Sequence, residues 1–142
     1  MSVKPIHYVP LKPEYNSPFS AGYEVKDAQL IFFSGCNTVP PYHKHPHVPE
    51  EEEQWLKGDI REQTERTFSH IQKVLKAGGA DFKNVVMLRI YMTNVSGQNV
   101  LNEISRKHFD PEKPPARTLL EVKSLAHPGM LIEIDGVAAI EY

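Results

Sequence analysis

"GDIREQTERTFSHIQKVLKAGGADFKNVVMLRIYMTN", residues 58–94, holds a helix, its stop and a strand in direct succession. Ile60, Thr64, Phe68, Ile71 and Leu75 recur every three to four residues, which gathers small and apolar side chains into one stripe of a helix. Asp59 is placed to cap the first free N–H groups, with Glu62 reaching back. Lys73 and Lys76 suit the negative end of the helix dipole, and Gly78-Gly79 end the helix. From Val85 the period changes to two. Val86, Leu88, Ile90 and Met92 fall on one side, and Val85, Met87, Arg89 and Tyr91 on the other. This pattern predicts a central strand.

Prolines are confined to residues before 50 and after 110, so the middle of the chain is free to form regular structure. Beyond the strand, "SGQNVLNEISRKHF" (96–109) predicts a shorter helix, with Val100, Leu101, Ile104 and His108 or Phe109 on one side. Two further strands are expected, at 117–123 and 131–140, joined by "SLAHPGM". Upstream, "FSAGYEV" and "AQLIFFSG" read as a hairpin around Lys26-Asp27, with an edge strand at "KPIHYV". The order predicts an α+β fold, a mixed β-sheet with two helices packed on one face. In the last strand Ile132, Ile134, Ala138 and Ile140 oppose Leu131, Glu133, Asp135 and Val137, so the second face is part apolar and part acidic. Such a face suits packing between copies of the chain, and a homo-oligomer is expected.

The 142 residues fit a single domain, 1–142. A formal charge of −2 lacks the basic excess of a phosphate-tracking surface, which makes nucleic acid a poor match. Cys36 is the only cysteine, the N-terminal residues contain no continuous apolar core, and no apolar run approaches the roughly 18 residues that span a bilayer. A cytoplasmic location without a membrane span is expected.

Arg117 starts a predicted strand directly after Pro114-Pro115. A guanidinium on an extended backbone presents a rigid fork that fits a carboxylate through two parallel hydrogen bonds. The plainer reading is a surface arginine at a strand end. Glu133, likewise, is either an ordinary polar residue of a strand or a carboxylate that handles water or a proton. Together they form a minimal hydrolytic pair that needs neither metal nor covalent nucleophile.

"GDIREQ…KAGGA", "VLNE", "PPARTLLEV" and "GMLIEIDGVAAI" together resemble the reactive intermediate deaminase (Rid) family, also called the YjgF or endoribonuclease L-PSP family. The resemblance spans nearly the whole chain. It implies a chorismate-mutase-like homotrimer, with the sheets forming a central barrel, the helices outside and sites in the subunit clefts. It further implies hydrolysis of enamine or imine acids such as 2-aminoacrylate to 2-keto acids and ammonia, without cofactor or metal. By that resemblance Arg117 clamps the substrate carboxylate, while Glu133, helped by the main-chain carbonyl of Leu119, holds the attacking water. Ser34, Gly35 and Cys36 line the cleft, and Phe19 stands at the family's aromatic position, contributed by a neighbouring subunit.

Three features depart from the pattern. Phe19 replaces the usual tyrosine, and Cys36 replaces a commonly polar residue; with no adjacent base to lower its pKa, Cys36 reads as a packed thiol. The stretch 38–57 is longer than the family's usual connection. Its His43, His45 and His47 alternate in a way that would suit Zn²⁺ or Ni²⁺, but the spacing alone offers no outer support for the rings. The loop is instead expected at the rim of the trimer, with Glu50 to Glu53 a solvated run. Alternative functions are deamination of a larger, aminomuconate-type enamine acid, non-catalytic binding of a small acid or protein, and RNA-directed translation inhibition.

Overall fold

A computed structural model describes residues 2–142. Among them are six strands and three α-helices: β1 (Ser2–Ile6), β2 (Gly22–Lys26), β3 (Ala28–Cys36), α1 (Pro49–Glu52), α2 (Ile60–Ala77), β4 (Val85–Met92), α3 (Gln98–Ser105), β5 (Ala116–Glu121) and β6 (Ile132–Glu141). The main sheet has the order β3-β6-β4-β5, with β4 and β5 parallel and the other pairs antiparallel. A parallel pair needs a crossover, and α3 supplies it.

Helix α2 follows its sequence signals. Asp59 accepts from the Glu62 N–H at 3.0 Å, although no return bond from the Glu62 side chain accompanies it. At the far end Ala80 N–H donates to Leu75 O and Gly79 N–H to Lys76 O, the paired closure that requires the left-handed backbone of Gly79, φ +80. Phe68, Ile71 and Leu75 meet Leu88, Ile90, Ile132 and Ile134 of the sheet in one core, which α3 extends with Leu101 and Ile104. The "QT" of this helix has a structural reason: fully buried Gln63 donates to Gly129 O and Leu56 O and accepts from Leu131 N–H, fastening two loops to α2.

Three expectations are corrected. β2 and β3 form no hairpin: β2 pairs with β1 in a separate two-stranded sheet, whereas β3 pairs with β6. Only Asp27, at φ +52, separates them, and one residue pivots the chain but cannot return it antiparallel. Val85, expected on the open side of β4, joins the core, because a bulge between Val85 and Met87 shifts the register there. The long loop contains a third, four-residue helix, α1, and within the supposed solvated run Glu52 is buried.

The helix-free face carries Leu30, Phe32, Met87 and Leu120, exposed by 46, 74, 38 and 51%, around a paired Arg89 and Asp135. This is the two-sided character expected of β6.

Candidate active site

The sequence-derived site residues fall into two groups. Arg117 lies on edge strand β5, beside Leu88 and therefore on the helix side of the sheet. Its Nη2 donates to Asn102 Oδ1 of α3 at 2.7 Å, and its Nη1 is buried without a partner. No carboxylate pairs with it among the described residues, and burial, with Arg106 adding to it, lowers its pKa to about 10. It stays protonated at neutral pH. A cation held this way favours an anion that can reach its free edge. Leu119, two residues on, packs its side chain against the core. Phe19 is tied to the start of β5 within the same chain, because Ser20 N–H donates to Pro115 O and Ser20 Oγ to Pro114 O.

The second group sits on β3 and β6. Glu133 pairs with Tyr91 in the ladder and so lies on the open face, opposite to Arg117. Its Oε1 accepts from Asn37 Nδ2 at 2.9 Å. The carboxylate crosses over Gly35, where a Cβ would stand 2.9 Å from Glu133 Cδ, so only glycine leaves it room. Ser34 and Gly35 lie in the register break of β3 between Phe33 and Cys36, which bends the strand at this point. Cys36 is buried with Sγ 3.5 Å from Ser34 O, and burial, then Glu133 and Asp135, push its pKa up to about 11. It is a thiol at neutral pH, as the sequence suggested, and no nucleophile.

One chain therefore does not bring Arg117 and Glu133 into one site.

A further cluster, only partly anticipated from the sequence, joins the long loop to the β5–β6 connection. His43 and His47 converge with Glu52 and with His127, from the β5–β6 loop, so that one ligand-type atom of each lies within 4.8 Å of all the others. Exposed His45 lies beside them with its ring tilted and is not one of the four. Glu52 and His127 carried no sequence signal, because their association is wholly tertiary. Asn37 and Asn102, which orient Glu133 and Arg117, were missed for the same reason.

Residues 11–140 match the family model described as Endoribonuclease L-PSP. The chain belongs to the endoribonuclease L-PSP (Rid) family. It is 29% identical over 128 residues to Reactive Intermediate Deaminase A, chloroplastic, of Arabidopsis thaliana, covering 90% of this chain and 62% of that protein. Against the 2-iminobutanoate/2-iminopropanoate deaminase of Homo sapiens the identity is 33% over 85 residues, 60% of this chain and 61% of the other. A Rid-family protein of unknown function from Yersinia pestis superimposes with a TM-score of 0.72 at 24% identity, over 99% of this chain and all of that one. The α+β fold is thus that of the Rid family.

Proposed function

We propose that the protein is a deaminase of 2-imino and enamine acids, working in a site completed between copies of the chain. The observation that carries this reading is the half-buried guanidinium of Arg117, which among the described residues bonds only to neutral Asn102 and keeps a second nitrogen, Nη1, buried and unpartnered. It fits a substrate carboxylate. The similarity to proteins named as imine deaminases points to the same chemistry.

An enamine acid first tautomerises to the imine, whose carbon is electrophilic. Glu133 accepts a proton from water as the water oxygen bonds to that carbon and returns it to the imine nitrogen, giving a carbinolamine. The hydroxyl proton then passes through Glu133 to the same nitrogen, the C–N bond breaks as the C=O bond forms, and a 2-keto acid and ammonia leave. Neutralising the substrate carboxylate at Arg117 removes a negative charge that would repel the nucleophile, and fixing both reactants replaces a bimolecular encounter. The exposed apolar face around Phe32 would supply the packing between copies. A cavity of about 370 Å³ lined by Tyr8, Leu11, Tyr15 and Phe19, next to the start of β5, favours an enamine acid with an apolar side chain as a second reading.

The test is ammonia release from imino acids freshly generated by an amino-acid oxidase, alongside Arg117→Ala. Loss of turnover in an assembly of unchanged mass is expected; unchanged turnover removes the clamp and the reading with it.

A further inference from the structure

We propose that His43, His47, Glu52 and His127 bind one divalent first-row metal ion, with Zn²⁺ the best match, and that this ion clamps the long loop over the Glu133 end of the cleft. The inference goes beyond the deaminase reading and does not depend on it. Glu52 Oε1 lies 2.7 Å from His47 Nδ1 and 3.1 Å from His127 Nε2, and these two nitrogens are 3.3 Å apart. Ligand atoms about 2.0–2.1 Å from a tetrahedral zinc stand roughly 3.3 Å from one another, so the triangle has nearly the size that such an ion requires.

Hydrogen bonding alone leaves this cluster unsatisfied. Two imidazole nitrogens converge on one carboxylate oxygen, and His43 Nε2 is buried with no partner. His43 Nδ1 lies 2.8 Å from Pro40 O. A proton on Nδ1 makes that bond and leaves the Nε2 lone pair free, which is how metal-ligating histidines are commonly oriented from the outer shell. The buried Glu52 needs a positive partner, and an ion supplies it while accepting lone pairs from the imidazoles. The donor set of imidazoles and one carboxylate suits zinc.

Position gives the ion a task. Thr38 and Arg66 already pin the loop to α2, through Thr38 Oγ1 to Trp55 O and Arg66 Nε to Thr38 Oγ1. The four ligands add a tie from the far part of the loop to His127 in the β5–β6 connection. A cavity of about 200 Å³ runs from His43, His47 and His127 to Gly35, which the Glu133 carboxylate crosses, and Asn37, which donates to it.

The test uses chelator-stripped full-length protein titrated with ZnCl₂ by calorimetry, with bound metal counted after dialysis and thermal melting followed in parallel. One ion per chain is expected, with a rise in melting temperature. Glu52→Gln and His127→Ala should each weaken binding at least tenfold and abolish that rise, whereas His45→Ala should leave both unchanged. Co²⁺ on the unaltered protein should give the intense visible bands of a tetrahedral site, a readout independent of variant folding. Failure to retain stoichiometric metal, or binding that survives Glu52→Gln and His127→Ala but not His45→Ala, overturns the site. Stoichiometric binding with no change in melting overturns the clamp.

Discussion

Replacing Gly35 with alanine tests the placement of Glu133 through one methyl group. The added Cβ would stand 2.9 Å from Glu133 Cδ and 3.0 Å from Oε2, against the 3.4 Å at which ordinary contact begins. The carboxylate must therefore retreat by about half an ångström, since 3.4 less 2.9 is 0.5. A displacement of that size is enough to stretch its 2.9 Å bond from Asn37 beyond normal hydrogen-bond length. Gly35 is not among the residues with positive φ, so alanine meets no backbone strain and the effect is confined to the contact. A misplacement of about 1 Å can cost on the order of 100-fold in rate, so half that distance corresponds to roughly tenfold, about 1.4 kcal/mol of barrier. Loss of the Asn37 bond should also lower stability by about 1 kcal/mol. Steady-state ammonia release and chemical denaturation measure the two effects. In a Glu133→Ala background the clash is gone, and Gly35→Ala should then change stability little. Wild-type turnover in the single variant, or an equal stability loss in both backgrounds, would refute the reasoning.

Arg117→Met should abolish turnover yet leave stability unchanged or slightly raised, because it removes a half-buried cation that no carboxylate of its own chain neutralises; a loss above about 3 kcal/mol on denaturation would show that the guanidinium is a structural tie. Cys36→Ala should keep deaminase activity. The Cys36 thiol has its pKa raised from 9.0 to about 11 in the fold, so the unfolded chain gives up that proton first. Its contribution to stability is complete below pH 9 and lost as pH rises towards 11, and Cys36→Ala should flatten the decline measured by melting across that window. If copies of the chain pack through the exposed sheet face, Phe32→Glu, on edge strand β3, should reduce the particle mass in light scattering to that of one chain; an unaltered particle mass would exclude this face as the interface. Gly79→Ala should cost about 1–2 kcal/mol, read from denaturant midpoints, because alanine must take φ +80 to close α2.

Local rules account for what was legible in the sequence. Helix α2 was readable, apart from the return bond expected of Glu62, because its stripe, its Asp59 cap and its Gly78-Gly79 stop lie within one stretch of chain and agree. Strand β4 was readable because alternation is a local property, and it failed only at Val85, where the bulge depends on β6 as partner. The false hairpin shows the limit: β2 and β3 both have strand chemistry, but which strand each would pair with was decided by β1 and β6, distant in sequence.

The site divides in the same way. Arg117, Glu133 and Gly35 could be named from residue chemistry and family resemblance, because a guanidinium, a carboxylate and a residue without a side chain each keep their character wherever the chain places them. Side-chain facing is another matter, since it follows from register across strands, and register set Arg117 and Glu133 on opposite sides of one sheet. Glu52 was read as solvated because a run of four glutamates says nothing about which one turns inward. Only the folded loop, carrying His43 and His47 to His127 about eighty residues away, made its burial favourable. Sequence sets chemistry and local period, and the tertiary structure alone decides which of those groups come together.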